Sequence, residues 1–242
     1  MVADAEYYNS YIMSQVKSLK MKMMDDKRVG NPFVTISRQT GAYGITVARD
    51  LCEYLQKHER RTRCIWTVFD KELIEKVAEE HDLPKTVLPY LSEDTVSEIQ
   101  DMIEETLGLH PSHDLLVQKT NKTILHLAQL GYVILVGRAS NIITAKMPGG
   151  VNVRLISPWE KRLEHVQEYY SMTAAKAKEF IHREDHKREN YVKKYFKKDI
   201  NDPLLYDMVI NIDSLVHPET IQLIGDLVLN RIPQKSSSAI HL

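Results

Sequence analysis

The 242-residue chain has only two cysteines, Cys52 and Cys64, each in an apolar context. That excludes a disulfide framework and fits a reduced compartment. Metal-ligand spacing is also lacking. His182 and His186 stand one helical turn apart, but no third ligand accompanies them and the glutamate is one position off an H-E-x-x-H pair. No protein-held metal is expected. An excess of one charge is missing too: 32 Lys and Arg face 33 Asp and Glu, for a formal net charge of −1. No overall field therefore draws the chain to nucleic acid or to a membrane, and neither partner is expected. No apolar run approaches the ~18 residues of a spanning helix, and no signal-peptide core opens the chain, so a cytoplasmic location is expected. There is no G-x-S-x-G elbow for a hydrolase triad and no internal repeat.

What the sequence does have begins at residues 32–57, PFVTISRQTGAYGITVARDLCEYLQK. Phe33 to Ile36 is a β-branched and aromatic run that reads as a strand. Ser37 to Gly44 is a polar turn with two glycines, and Val47, Ala48, Leu51, Cys52 and Leu55 follow in helical rhythm. Strand, glycine turn and helix start together present unpaired amides and a favourable dipole to an anion; an ordinary βα connection is the plain alternative. The turn is not a full P-loop. Arg38 stands at the first glycine of G-x-x-x-x-G-K-[ST], Tyr43-Gly44 stands at the Gly-Lys pair, and Thr46 is one residue beyond the hydroxyl position. Phosphate chemistry here needs its cation from elsewhere.

The remaining pattern alternates strands and helices. Residues 64–69, 132–136, 151–156 and 207–212 read as further strands, with helices over 112–130, 157–170, 173–196 and 217–232. This predicts a three-layer, doubly wound α/β fold around a parallel five-stranded sheet. Ligands of such sheets bind beyond the carboxyl ends of the strands. Polar groups are expected there from the 37–44 turn, from Asp70, and from Arg138 with Ser140. Residues 1–31 read as an amphipathic helix and link, which docks on its own domain or forms a homodimer interface. Residues 32–232 form the α/β body with a helical insertion at about 71–111, and residues 233–242 a flexible tail.

The helix at 173–196 has an unusual interior: HREDHKREN, residues 182–190, contains no apolar side chain, whereas Phe180-Ile181 and Tyr191-Val192 on either side do. Such a stretch is either a solvated charged face or overhangs a polar ligand. Arg183, Lys187, Asn190 and Lys194 share one stripe. The livelier reading is a basic lid, at about 173–200, whose cations neutralise a phosphoryl group.

These pieces together resemble the cytidylate kinase-like family, a P-loop branch of the nucleoside monophosphate kinases. The resemblance rests on VTISRQTGAYG, on Phe69-Asp70-Lys71-Glu72-Leu73-Ile74, on Val136-Gly137-Arg138, on Ser157 to Arg162, on Asp185 to Tyr191, and on Asp202 to Asp207. It implies phosphoryl transfer from ATP, with Mg2+, to a nucleoside monophosphate, CMP being the eponymous acceptor. By the same resemblance Ser37, Arg38, Gln39, Thr40, Gly41, Ala42, Tyr43, Gly44, Ile45 and Thr46 wrap the donor phosphates. Asp70, Arg138, Ser140 and Lys187 face the acceptor, and Arg38, Arg183, Asp185 and Arg188 serve catalysis. Cytidylate kinases proper carry a lysine where this chain has Gly44 and aspartates where it has Val136 and Ala139. Lid arginines or Arg38 could take over the lysine's charge. The alternative is a catalytically weak, nucleotide-binding regulatory protein.

Overall fold

The computed structural model of the chain describes residues 10–14, 31–59, 64–80, 115–215 and 217–232. Most of the helical insertion expected at about 71–111, the tail after 232 and most of the N-terminal helix lie outside the described residues.

Five strands form one sheet: β1 (Phe33–Arg38), β2 (Thr67–Phe69), β3 (Val133–Val136), β4 (Gly150–Ile156) and β5 (Met208–Asn211). Every pairing is parallel and the order is β2-β3-β1-β4-β5. β1 is central, between β3 and β4. The connection leaving β1 runs to β2 on one side and that leaving its neighbour β3 runs to β4 on the other, so the carboxyl ends of these two strands open into the crevice where such sheets bind ligands. β2 is shorter than the 64–69 run suggests, because pairing with β3 begins only at Thr67.

The helices among the described residues are α1 (Gly44–His58), α2 (Lys71–Glu80), α3 (Leu115–Leu130), α4 (Ser140–Ile143), α5 (Trp159–Tyr170), α6 (Ala174–Phe196) and α7 (His217–Arg231). Alternation along β1 sends Phe33 into one core and Val34 and Ile36 into another. The Phe33 side packs Ile124, Leu127 and Ala128 of α3 with Ile74 of α2. The other packs Val47, Ala48 and Leu51 of α1 with Ile224 and Val228 of α7. Helices on both faces of a parallel sheet are the three layers that the sequence predicts.

Residues 10–14 are helical and dock on the first core: Tyr11 is buried, meets Phe69 edge-on and donates its hydroxyl to the Gly131 carbonyl at 2.7 Å. α5 and α6 form a hairpin with a small core of its own, Val166, Ala177 and Ile181. Further along α6, Val192 and Phe196 return to the main core. The polar stretch 182–190 is thus a span held at both ends across the sheet's carboxyl edge.

Candidate active site at the carboxyl ends of β1, β3 and β4

β1 ends at Arg38 and α1 begins at Gly44 with Tyr43 in the left-handed region at φ 50° and no side chain capping the helix. The first bond of the helical ladder runs from the Val47 N–H to the Tyr43 carbonyl. The amides of Gly44, Ile45 and Thr46 therefore precede the ladder, as at any helix start. The carbonyls of this turn are already engaged. Arg162 Nη1 donates to Thr40 O at 3.4 Å and His165 Nδ1 contacts Gly41 O at 2.9 Å. The Tyr43 ring stacks on His165 with 3.6 Å between centroids. Gly41, at φ 84°, lies so close to α5 that a Cβ there would stand 2.7 Å from the Arg162 carbonyl oxygen.

α6 reaches the turn through Asp185 and Arg188. The Thr40 amide and hydroxyl donate to Asp185 Oδ1 at 2.7 and 2.6 Å, and Arg162 Nη1 donates to Oδ2 at 2.6 Å. Arg188 Nη1 donates to Thr40 Oγ1 at 2.6 Å and to Asp185 Oδ1 at 3.3 Å. Ile181 and Val192 set this rotation: Ile181, Asp185, Arg188 and Val192 follow at i, i+4, i+7 and i+11, one face of a helix. The stripe expected from the sequence, Arg183 with Lys187, Asn190 and Lys194, is exposed, and of it Lys187 reaches the wall of a cavity beside α6. Arg183 pairs instead with its neighbour Glu184 and lies over the Phe180 ring.

Two cavities flank α6. One of about 210 Å³ is bounded by Ser37 and Arg38, by Gly137-Arg138-Ala139, by Lys71, and by Lys187, Arg188 and Tyr191 of α6. The other, a groove of about 850 Å³, runs between α5 and α6 past Gln39, Trp159, Arg162, His182 and Arg183. Thr40 to Thr46 line neither.

The electrostatics are lopsided. Arg154 and Arg162 are 5% and 9% exposed. Arg154 bonds only to neutral groups among the described residues, Ser37 Oγ and Asn201 Oδ1, both at 2.8 Å. Arg138 pairs with Glu75 and sits 5.3 Å from the Tyr191 ring centroid. Burial, the largest cause in each case, holds Arg38, Arg138 and Arg188 below the ordinary arginine value. Arg38, with the Arg188 charge as its second cause, falls to about 10.

Of the residues expected at the site, Ser37, Arg38, Arg138, Lys187 and Arg188 come together around the smaller cavity. Gln39 instead accepts from the Ser157 amide at 3.1 Å. Asp70 caps α2, accepting from the Leu73 amide at 2.9 Å. Ser140 is buried, its hydroxyl 3.4 Å from the Leu135 carbonyl, outside the cavity. Ala42 is buried, Ile45 packs toward the second core and Thr46 is exposed. Arg154 and His165 were not singled out from the sequence, and Arg162 only as the end of a motif. A charged residue inside the apolar run Val151 to Ile156 was the available signal for Arg154.

A family model described as the cytidylate kinase-like family matches residues 33–214. No curated protein matches the chain. Among solved structures, an uncharacterized protein from Eubacterium ventriosum superposes with a TM-score of 0.55 at 17% identity, over 82% of this chain and 98% of that one. Shikimate kinase from Bacteroides thetaiotaomicron gives 0.46 at 11% identity, over 82% and 98% of the two chains. Shikimate kinase from Acinetobacter baumannii gives 0.41 at 18%, over 84% and 96%.

Proposed function

The chain belongs to the cytidylate kinase-like family, and from the charge gathered where its sheet opens we propose that it transfers a phosphoryl group from ATP to a nucleoside monophosphate, with a CMP-like acceptor favoured. One observation carries this reading. Arg38, Arg138, Arg154, Arg162 and Arg188 converge on the carboxyl ends of β1, β3 and β4, while among the described residues the only carboxylates paired with them are Asp185 and Glu75. Guanidinium groups out of water with too few carboxylates are costly unless an anion joins them. Phosphate oxygens suit their forked donors.

The residues fit a polyphosphate. When bound, ATP supplies the group to be transferred and Mg2+ screens its charge. No group of three carboxylate, His or Cys ligands stands together among the described residues. The metal's protein contacts would therefore be few, which suits an ion that arrives on phosphate oxygens. In this reading Arg38 and Arg188 hold and orient the transferring group from the β1 side and the α6 side. At the turn, the amides of Gly44, Ile45 and Thr46, which precede the helical ladder, are offered to the donor. Arg138 grips the acceptor phosphate with Lys71 and Lys187 beside it, and α6 keeps water out.

The test is a coupled assay of ADP release across the common nucleoside monophosphates, with Arg188→Ala alongside. Turnover with at least one acceptor, reduced about a hundredfold or more in the variant, is expected; no turnover with any acceptor overturns the reading. The second reading, a nucleotide-binding regulatory protein with weak catalysis, is favoured by Gly44 in place of the loop lysine. It predicts nucleotide-dependent thermal stabilisation of a few kcal/mol at saturation without ADP release.

A further inference from the structure

The contact between α6 and the 39–43 turn has the chemistry of an anion site that is already filled. Asp185 receives a main-chain N–H, a hydroxyl and two guanidinium groups. That is the donor set a phosphate collects at a βα turn. The Thr40 hydroxyl donates its one proton to Asp185 and accepts from Arg188. Arg162 is not fully used. It is 9% exposed, and its Nε is buried with no hydrogen-bond partner. Both carboxylate oxygens are engaged, yet this guanidinium is left with an unpaired donor, whereas a phosphoryl group brings a third oxygen and more charge.

We infer that Thr40, Arg162 and Arg188 form an oxyanion site for a phosphoryl group, and that Asp185 occupies it as a built-in competitor which the phosphate displaces. The inference rests on the proposed kinase reading and deepens it by naming the atoms that receive the phosphate and the carboxylate that must leave. Asp185 is well placed to move. It sits on the part of α6 between the buried anchors Ile181 and Val192, where no side chain enters a core. Its side chain is 22% exposed and has a route to solvent. A competitor tied to the site lowers the apparent affinity for every phosphate by the fraction of time it is bound. It also keeps the buried Arg162 and the half-buried Arg188 paired until a ligand arrives.

The probe is inorganic tripolyphosphate, titrated calorimetrically into the full chain. Asp185→Asn, which keeps the shape and removes the charge, is expected to bind it about tenfold or more tightly than wild type. Glu189→Gln makes the same change of charge one turn further along α6, on an exposed carboxylate outside the smaller cavity. It is expected to change affinity by about twofold or less. Equal gains in the two variants would reduce Asp185 to a general field effect and overturn the inference. Unchanged or weaker binding in Asp185→Asn would overturn it while leaving the phosphate reading intact. Absence of binding to all three proteins would overturn both. A measurement on wild type guards against a variant that fails to fold. At saturating tripolyphosphate the Thr40 amide resonance and the Asp185 side-chain carboxyl resonance are both expected to move. Binding that leaves both in place overturns the inference.

Discussion

The stem of Arg38 lies across Gly44. A Cβ on that glycine would stand 2.8 Å from Arg38 Cγ and 3.1 Å from Cδ. The side chain leaves the end of β1, passes over the first residue of α1 and brings its guanidinium to Gly137 at the end of β3, where a Cβ would collide with Nη1. The space a side chain at position 44 would need is filled by an arginine that starts on the other side of the turn. Two glycines, one at each end of its path, make the crossing possible.

Restoring a P-loop lysine therefore will not repair the loop. Gly44→Lys is expected to destabilise the fold by about 1–3 kcal/mol through overpacking against Arg38 and to raise neither turnover nor phosphate affinity. Combining it with Arg38→Ala should remove most of that penalty. Urea unfolding of the two single variants and the double variant measures the coupling directly. Additive effects would mean that the two side chains do not compete for the same space.

The sheet and its layers were legible because they rest on apolar periodicity: the runs at 33–36 and 132–136 and the stripe of Val47, Ala48, Leu51 and Leu55 leave little choice. The lid's phase was harder to read. Residues 182–190 carry no apolar side chain, so charge spacing alone selected Arg183, Lys187, Asn190 and Lys194. The phase comes instead from the flanks: Ile181 and Val192 are buried, and counting between them puts Asp185 and Arg188 on the inner face. Arg154 could not be assigned a site from sequence because its partners, Ser37 and Asn201, arrive from distant parts of the chain.

Ser140 and Arg138, two residues apart, should separate cleanly. Ser140→Ala removes a buried hydroxyl near the Leu135 carbonyl, at a cost of about 1 kcal/mol or less, and should leave tripolyphosphate affinity at the wild-type value. Arg138→Ala removes a cation from the wall of the smaller cavity and leaves Glu75 without that partner. Affinity should fall about tenfold or more. Calorimetric titration of both variants checks the contrast, and a Ser140 effect as large as that of Arg138 would put the hydroxyl back in the site.

Asp207, just before β5, gives the fold a dependence on acid. Burial pushes its carboxyl up, but the Arg231 guanidinium and the Asn152 amide, each bonded to it, outweigh burial and hold it below the ordinary carboxylate range. The unfolded chain then binds the proton more readily, so the stabilisation is complete above about pH 4. It fades as the pH falls through the lower folded value. Asp207→Asn should be less stable than wild type by about 1 kcal/mol at neutral pH, a modest figure because the group is largely solvated. The gap should close toward about pH 2. Denaturant midpoints of the two proteins across that range provide the comparison, and a gap that widens on acidification would reverse the assigned sign.

Arg38 makes the opposite case, a charge that burdens the fold. Burial first, and the Arg188 cation second, lower it to about 10. Between that value and the ordinary arginine value the unfolded chain holds more protons than the folded one, so stability rises with pH only inside that alkaline window. Below it the penalty is constant. Arg38→Met keeps an unbranched stem over Gly44 and removes the charge. It is expected to be at least as stable as wild type, by a margin that does not change between about pH 6 and pH 9. The same variant should lose most of the thermal stabilisation that tripolyphosphate gives wild type, since the anion's gain comes from relieving that cation. Melting curves with and without the anion test both halves. A variant that is less stable without the anion and equally stabilised by it would show that Arg38 braces the turn rather than waiting for a phosphate.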